Sequence, residues 1–394
     1  MKKLLMVLMA LPFMAHGETE LSGGAGVEQR YFLQDPLYPQ QGKSQLSLYL
    51  QPELYAQWND GRDSLLFTPF VRLDQQDDER THFDIRELVL LQVGEDWEIR
   101  TGIAKVFWGQ TESLHLVDVI NQTDEVEAPD GEDKLGQPMI NLSLLRDWGT
   151  VSLFALPYFR ERTFAGIEGR LRMGLEIVTD GAAYESKDEQ HNLDWAMRWQ
   201  QSVGDWELGL SYFDGTAREP QMQPFIDVDG QMKLQPFYPQ MQQVGADILA
   251  VMGAWLVKFE GIHRETSFAT FNALVGGFEY TTVGVLDSVY DLGWLVEYQY
   301  DERDEMAPSG GQNDVMAGSR IVFNDMAGTE ILLAVIQDFD HFSSRSAYVE
   351  ASSRLNDNWK WRVDGWFFTS DEPDDMMYML RRDDFLQFSL EYYF

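Results

Sequence analysis

Apolar and polar residues alternate one by one along most of this chain, and no apolar stretch in its body is long enough to cross a bilayer as a helix. Alternation of period two marks a strand with one face in an apolar medium and the other in a polar one. Segment 45–58 is the clearest case. Leu46, Leu48, Leu50, Pro52, Leu54, Ala56 and Trp58 fall on one face, and Gln45, Ser47, Tyr49, Gln51, Glu53, Tyr55 and Gln57 on the other. The best candidate for a helical span, 248–257, has ten residues between Asp247 and Lys258, whereas a spanning helix needs about 20. A soluble sandwich would have to cover each apolar face with a second sheet. In a transmembrane barrel the acyl chains cover it, and the polar face lines the lumen.

The two ends of the chain point the same way. Lys2 and Lys3 precede an apolar run over 4–15, and Ala15-His16-Gly17 offers small residues where a signal peptidase cuts. The expected division is therefore a leader at 1–17 and a single barrel domain over 18–394. The final segment, DFLQFSLEYYF, places Leu386, Phe388, Leu390, Tyr392 and Phe394 on one face and ends in an aromatic residue. Such a last strand resembles the signal read by the barrel-assembly machinery, an expected partner together with outer-membrane lipid and lipopolysaccharide. The localisation this implies is the outer membrane of a Gram-negative bacterium.

Composition narrows the field further. Cysteine is absent, which removes disulfides, thiolate metal sites and a lipid-modified N-terminal cysteine. The formal charge of −35 opposes a nucleic-acid partner, because phosphate would be repelled. Aromatic residues make up 13% of the chain while mean hydropathy is −0.32. A barrel accounts for both values, since only alternate residues meet lipid.

Turn-forming residues divide the chain into strands. Short turns are expected at Asn59-Asp60-Gly61, Gly94-Glu95-Asp96, Arg146-Asp147-Trp148-Gly149, Val203-Gly204-Asp205, Met252-Gly253, Val285-Leu286-Asp287, Asn324-Asp325-Met326 and Asn356-Asp357-Asn358. They alternate with longer polar segments near 108–138, 158–190, 214–242 and 369–383. The predicted fold is all-β, a transmembrane antiparallel barrel of about 18 strands. The strands should start near 21, 45, 64, 83, 97, 139, 150, 191, 206, 243, 254, 272, 290, 314, 329, 346, 359 and 384. The pattern is weakest at 83–93, where both faces carry apolar residues, and at 272–290.

The segment 109–138 is the most informative. A connection of about 30 residues in a compact domain is usually functional or disordered. Leu114, Leu116, Val117, Val119 and Ile120 give this one an apolar side that must pack on something. Folding into the lumen would supply that surface and narrow the pore; an ordered cover over the rim is the alternative. Its stretches Trp108-Gly109-Gln110-Thr111-Glu112, Val119-Ile120-Asn121-Gln122-Thr123-Asp124 and Leu135-Gly136-Gln137-Pro138-Met139 resemble a family of proteobacterial outer-membrane barrels of unknown function. The likeness covers roughly 100–165. More distantly the architecture is similar to eighteen-stranded porins of the alginate-export type. The resemblance implies an outer-membrane channel or transporter and names no substrate.

Between Glu112 and Asp133 this segment carries eight acids and no Lys or Arg. Alternation places Arg30, Arg72, Arg100, Arg198, Lys258, Arg264, Arg320, Arg354 and Arg362 on lumenal faces. An acidic loop opposite a basic wall would set a transverse field across the pore; local pairing of each base with a nearby acid is the alternative. The candidate constriction consists of Glu112, His115, Asp118, Asn121 and Asp124 on one side and Arg198, Arg320 and Arg362 on the other.

Two further functions are open. Tyr49, Tyr55, Phe154, Phe213, Trp366 and Phe368 on the inner face would suit a transporter of hydrophobic or lipid-like molecules. His341-Phe342-Ser343 has the spacing of the outer-membrane phospholipase active strand, without a clear Asn partner. Neither a catalytic site nor a cofactor is expected, and no HExxH-type metal spacing occurs. The leading expectation is a porin-like channel for small polar solutes, gated by the acidic loop.

Overall fold

A computed structural model describes residues 17–172, 174–307, 311–373 and 375–394. The leader expected at 1–17 lies, apart from Gly17, outside the described residues. The strands in chain order are β1 (Glu18–Phe32), β2 (Ser44–Trp58), β3 (Asp63–Asp74), β4 (His82–Val93), β5 (Trp97–Ala104), β6 (Gln137–Arg146), β7 (Gly149–Leu156), β8 (Ala183–Tyr184), β9 (Asp194–Val203), β10 (Trp206–Thr216), β11 (Gln221–Ile226), β12 (Met232–Tyr238), β13 (Gln240–Met252), β14 (Trp255–Thr266), β15 (Thr270–Thr282), β16 (Asp291–Asp301), β17 (Asn313–Val322), β18 (Glu330–Asp338), β19 (Arg345–Arg354), β20 (Trp359–Thr369) and β21 (Phe385–Tyr393). Eighteen of them form one sheet in which each pairs antiparallel with the next. The ring closes where β1 meets β21, from Gly24 opposite Tyr393 to Phe32 opposite Phe385. Closure leaves no sheet edge unpaired, which a bilayer demands. Each of the eighteen barrel strands begins within three residues of its expected position.

All eight expected short turns lie on one rim, where β1 also begins and β21 ends. Their chemistry is local. Asn59, Asp60 and Gly61 take left-handed backbone (φ 56°, 55° and 80°), as a hairpin turn that follows the strand twist requires. The opposite rim carries the long connections.

The outer face is apolar in the middle and aromatic at both rims. Leu48, Leu73, Ile140, Leu210, Val244 and Phe388 are exposed outward. Trp97, Trp148, Trp206, Trp255, Trp359 and Phe394 ring the short-turn rim, and Phe83, Trp195, Tyr298 and Tyr300 stand toward the other. Paired aromatic girdles about an apolar band match the interfaces of a membrane barrel. Among the described residues no helix is long and apolar enough to cross a membrane.

Two features depart from simple alternation. In β4 the register against β3 shifts between Thr68 and Pro69, so Arg86 is an extra residue. This bulge turns Val89 inward, where it is buried, and accounts for apolar residues on both faces of 83–93. The second feature is a three-stranded sheet of β8, β11 and β12 built from the long connections. Its base is a cluster of Phe159, Tyr184 and Tyr238, with ring centroids 4.8–6.1 Å apart.

Candidate functional site: a strap across the lumen

Segment 105–136 joins β5 to β6 and folds into the barrel. Val117, Val119 and Ile120 are at most 1% exposed. They pack on Phe154, Leu156, Phe213, Ile262 and Phe271, inner-face residues of β7, β10, β14 and β15. Fully burying such side chains contributes about 1.5–3 kcal/mol each. Gly245 makes room for the strap: a Cβ there would stand 3.3 Å from Val117 Cγ1 and 2.6 Å from Ser211 Oγ.

Polar anchors fix the strap at opposite walls. At its first half, fully buried Glu260 of β14 accepts from the N–H of Gln110 (2.6 Å), Thr111 (3.0 Å) and Val117 (3.2 Å) and from the Thr111 hydroxyl (2.8 Å). Glu297 of β16 accepts from the N–H groups of Glu112 (2.8 Å) and Ser113 (2.9 Å). Glu112 pairs with Arg320 of β17 (2.8 Å) and Lys258 of β14 (3.4 Å). At its second half, Glu127 takes a two-pronged contact from Arg72 of β3 (2.9 and 2.5 Å). Asp124 meets Arg86 of β4 (2.7 Å) and the Thr163 hydroxyl (2.6 Å). Arg80, itself fully buried, donates to the Val126 carbonyl (2.7 Å) and pairs with Glu28 (2.5 Å) and Asp74 (2.9 Å). In the ring, β3 and β15 are nine places apart, so these two anchor groups face each other across the full width of the lumen.

The eight candidate residues divide by role. Glu112 and Arg320 are in direct contact. Asp118 accepts from the N–H groups of Trp108 (2.6 Å) and Gly109 (2.9 Å), and Asn121 ties Val106, Ala104 and Leu135 together. These two hold the strap's own shape, whereas Asp124 ties it to Arg86 on the wall. Arg198 forms a two-pronged pair with Asp247 of β13 (2.7 and 2.9 Å) beneath the Trp108 ring. Arg362 stays half-exposed, 3.4 Å from Asp364. Arg320 thus meets a loop acid directly, whereas Arg198 and Arg362 pair with wall carboxylates. Glu260, Glu297, Arg80 and Arg86 are anchors that the sequence reading missed. Alternation puts Glu260 and Glu297 on the inner face, but their partners lie more than 140 residues away in the chain.

His115 lies in the strap, outside the strands. Its Nε2 is 2.5 Å from Glu132 and its Nδ1 3.8 Å from Glu260. Burial works against its charge, but the two carboxylates outweigh burial and raise its pKa to about 10. A folded-state pKa above the ordinary 6.5 contributes stability that is complete below pH 6.5 and is lost as pH climbs through 10. Strap docking should therefore weaken across that window. Channel noise measured from pH 6.5 to 10 should rise in the wild type and stay flat in His115→Gln; equal slopes would refute a role for this charge.

No family description matches the chain, and no curated protein matches it. Among solved structures the chain is similar to OmpT, an outer membrane protein of Vibrio cholerae in a trimer form, at 8% identity and TM-score 0.49, covering 96% of this chain and 100% of that one. It is also similar to a substituted Rh. blastica porin, at 10% identity and TM-score 0.47 with the same coverage.

His82, Asp124 and Glu127 bring ligand atoms within 4.8 Å of one another. Guanidinium groups of Arg86 and Arg72 already sit on the two carboxylates, so a metal ion would be repelled there. At the rim, Glu372 stands between His341 (2.6 Å) and Ser343 (3.2 Å). The Ser343 hydroxyl donates to this carboxylate and not to His341, so the histidine is not placed to activate it.

Proposed function

We propose that this protein is a channel of the Gram-negative outer membrane through which small polar solutes diffuse, narrowed by the strap at 105–136. The observation that carries the reading is the anchoring of one charged segment at opposite walls of a closed ring. The strap packs on the inner wall from β7 to β15 and is tied to β16 and β17; in this reading the passage runs along the arc from β18 to β21. Toward the short-turn rim the inner face is water-accessible, with Arg100, Gln200 and Glu207 exposed. The apolar outer band and its girdles support lipid and lipopolysaccharide as surroundings, and the alternating faces of β21 support handling by the barrel-assembly machinery. The likeness to proteobacterial outer-membrane barrels of unknown function rests on the motifs of 100–165, and the more distant likeness to alginate-export porins on the eighteen-stranded architecture alone.

The test is single-channel recording of refolded protein in planar bilayers. Discrete, ohmic steps are expected, and Glu112→Gln should change their size because it frees Arg320 and Lys258. A silent bilayer at all voltages would refute the channel.

A second reading, a transporter of amphipathic molecules, is favoured by a buried apolar lane along the inner face of β16 to β21 and β1, packed beneath Leu171, Met377 and Leu380 at its long-loop end. Phe32, Phe368 and Phe385 cluster near the long-loop rim, and Trp366 links them to Tyr348, Met316, Leu332 and Leu295. Liposome swelling separates the readings: sugar flux supports the polar channel, whereas fatty-acid binding without flux supports the lane.

A further inference from the structure

The outward face of β16 to β20 carries a furrowed depression of about 670 Å³. Strand register explains it. Val296, Ala317, Val335, Ala347 and Phe367 stand side by side across these five strands, so small residues alternate with large ones. One level nearer the short-turn rim, Trp294, Ser319 and Leu333 repeat the pattern. Trp294, Leu333 and Val335 are 44–49% exposed and rise on either side of Ala317 and Ser319. An apolar furrow on a lipid-facing wall is filled by acyl chains, whose contacts with its floor and sides add up to a preferred seat.

A cation stands at the long-loop end of the furrow. Ser346 and Tyr348 are buried on the inner face, so Arg345 shares the outward face with Ala347, about 7 Å further along β19. Of the Arg and Lys residues in the eighteen barrel strands, alternation leaves only Arg146 and Arg345 on the outward face. Arg146 lies at the short-turn rim and pairs with Asp96 (2.9 Å). Arg345 is exposed, donates to the Phe342 carbonyl (3.3 Å), and forms no ion pair among the described residues. The nearby acids have other partners: Asp340 accepts from Asn313 (3.0 Å), and Glu372 holds His341 (2.6 Å). Exposed Phe339 and Phe342, with ring centroids 6.0 Å apart, place this end at the aromatic girdle, level with lipid head groups.

A planar guanidinium above an apolar furrow fits an acyl lipid whose head carries phosphate, because the fork of N–H groups matches phosphate oxygens. On a chain of formal charge −35, an unpaired outward base at head-group level is complementary to an anion there. Long connections lie on the external side of such barrels, so the lipid is the phosphorylated glycolipid of the outer leaflet. We propose that β16–β20 bind one molecule of lipid A, with acyl chains over Ala317, Ser319 and Ala347 and a phosphate on Arg345. The inference rests on the outer-membrane placement above and is independent of whether the lumen conducts.

The experiment is native mass spectrometry of the refolded full-length protein in detergent, titrated with lipid A, dephosphorylated lipid A or phosphatidylglycerol. The wild type should retain one lipid A and hold the other two several-fold less well. Arg345→Gln should lower retention several-fold, and Arg345→Lys should restore part of it. Ala347→Trp fills the furrow and should lower retention with the charge intact. Leu153→Trp, on the outward face of β7 at the far side of the ring, should leave it unchanged. Circular dichroism and heat-modifiable migration confirm that each variant folds. Unchanged retention in folded Arg345→Gln and Ala347→Trp overturns the site, and so does an equal loss in Leu153→Trp. Equal retention of dephosphorylated lipid A overturns the role of the phosphate, and equal retention of phosphatidylglycerol overturns the choice of lipid. A lipid-free oligomer means that a second copy covers the furrow, and overturns the proposal. Absence of bound lipid A overturns this inference and leaves the channel reading standing, whereas a silent bilayer removes the channel and leaves the binding intact.

Discussion

Glu260→Ala is expected to release the first half of the strap and give the largest rise in single-channel conductance of any one substitution. The Glu260 side chain accepts four hydrogen bonds from residues 110–117, and alanine leaves the N–H groups of Gln110, Thr111 and Val117 without that acceptor beside a wall of Phe213, Ile262 and Phe271. An unsatisfied buried donor costs about 1–3 kcal/mol. Water entering the lumen can satisfy the donors only if the strap lifts, which also re-exposes Val117. The ring itself should persist, because Glu260 contributes its backbone to the β13–β14–β15 ladder whatever its side chain. Glu260→Gln keeps an acceptor oxygen and should lie close to the wild type. Protease digestion gives an independent reading: cleavage within 105–136 should accelerate in the alanine variant alone. Identical currents and identical cleavage in the wild type and Glu260→Ala would show that docking does not depend on this carboxylate.

Glu127→Ala attacks the opposite anchor, and its expected signature is loss of stability as well as a wider pore. Both partners of the Arg72–Glu127 pair are about 5% exposed. Removing one leaves a buried charge without its counter-ion, a change worth about 3–5 kcal/mol. Arg72 retains Glu28 at 3.2 Å, and Arg86 retains Asp84 at 3.1 Å, so the effect should fall toward the lower end. Replacing both partners by methionine removes the orphaned charge and should cost less than either single change. Added salt should alter this ordering little, since buried pairs are poorly screened. Thermal melting of the four proteins as a double-mutant cycle measures the coupling. A coupling energy near zero would mean that the contact holds nothing.

The ring was legible in the sequence because its information is local. A hairpin turn such as Asn59-Asp60-Gly61 states its own geometry, and a strand such as Gln45 to Trp58 states which face meets lipid. The inward course of segment 105–136 was legible from Val117, Val119 and Ile120, which needed an apolar surface that the inner wall supplies. Its anchors were not legible. A polar residue on an inner face, such as Glu260, reads the same whether it touches water or caps a loop, and the choice is made by partners far away in the chain. The same distance effect hid the pairing of Arg72 with Glu127 and of Lys258 and Arg320 with Glu112. The bulge at Arg86 escaped because a single inserted residue shifts the alternation without breaking it. The small sheet of β8, β11 and β12 escaped because β8 has only two residues, both contributed by a connection that otherwise reads as irregular.

Strands joined edge to edge in a ring resist stretching around the circumference but bend easily, so an unfilled cylinder of this size is free to flatten into an ellipse. A segment clamped near β3 on one side and near β14–β17 on the other acts as a spoke. Flattening in one direction would pull its clamps apart, and flattening at right angles would crush Val117 and Ile120 against the wall. The spoke therefore fixes the roundness of the cylinder, and with it the shape of the lipid annulus outside. Cutting it should make the whole cross-section compliant to lateral pressure, so that current through the pore begins to depend on membrane tension.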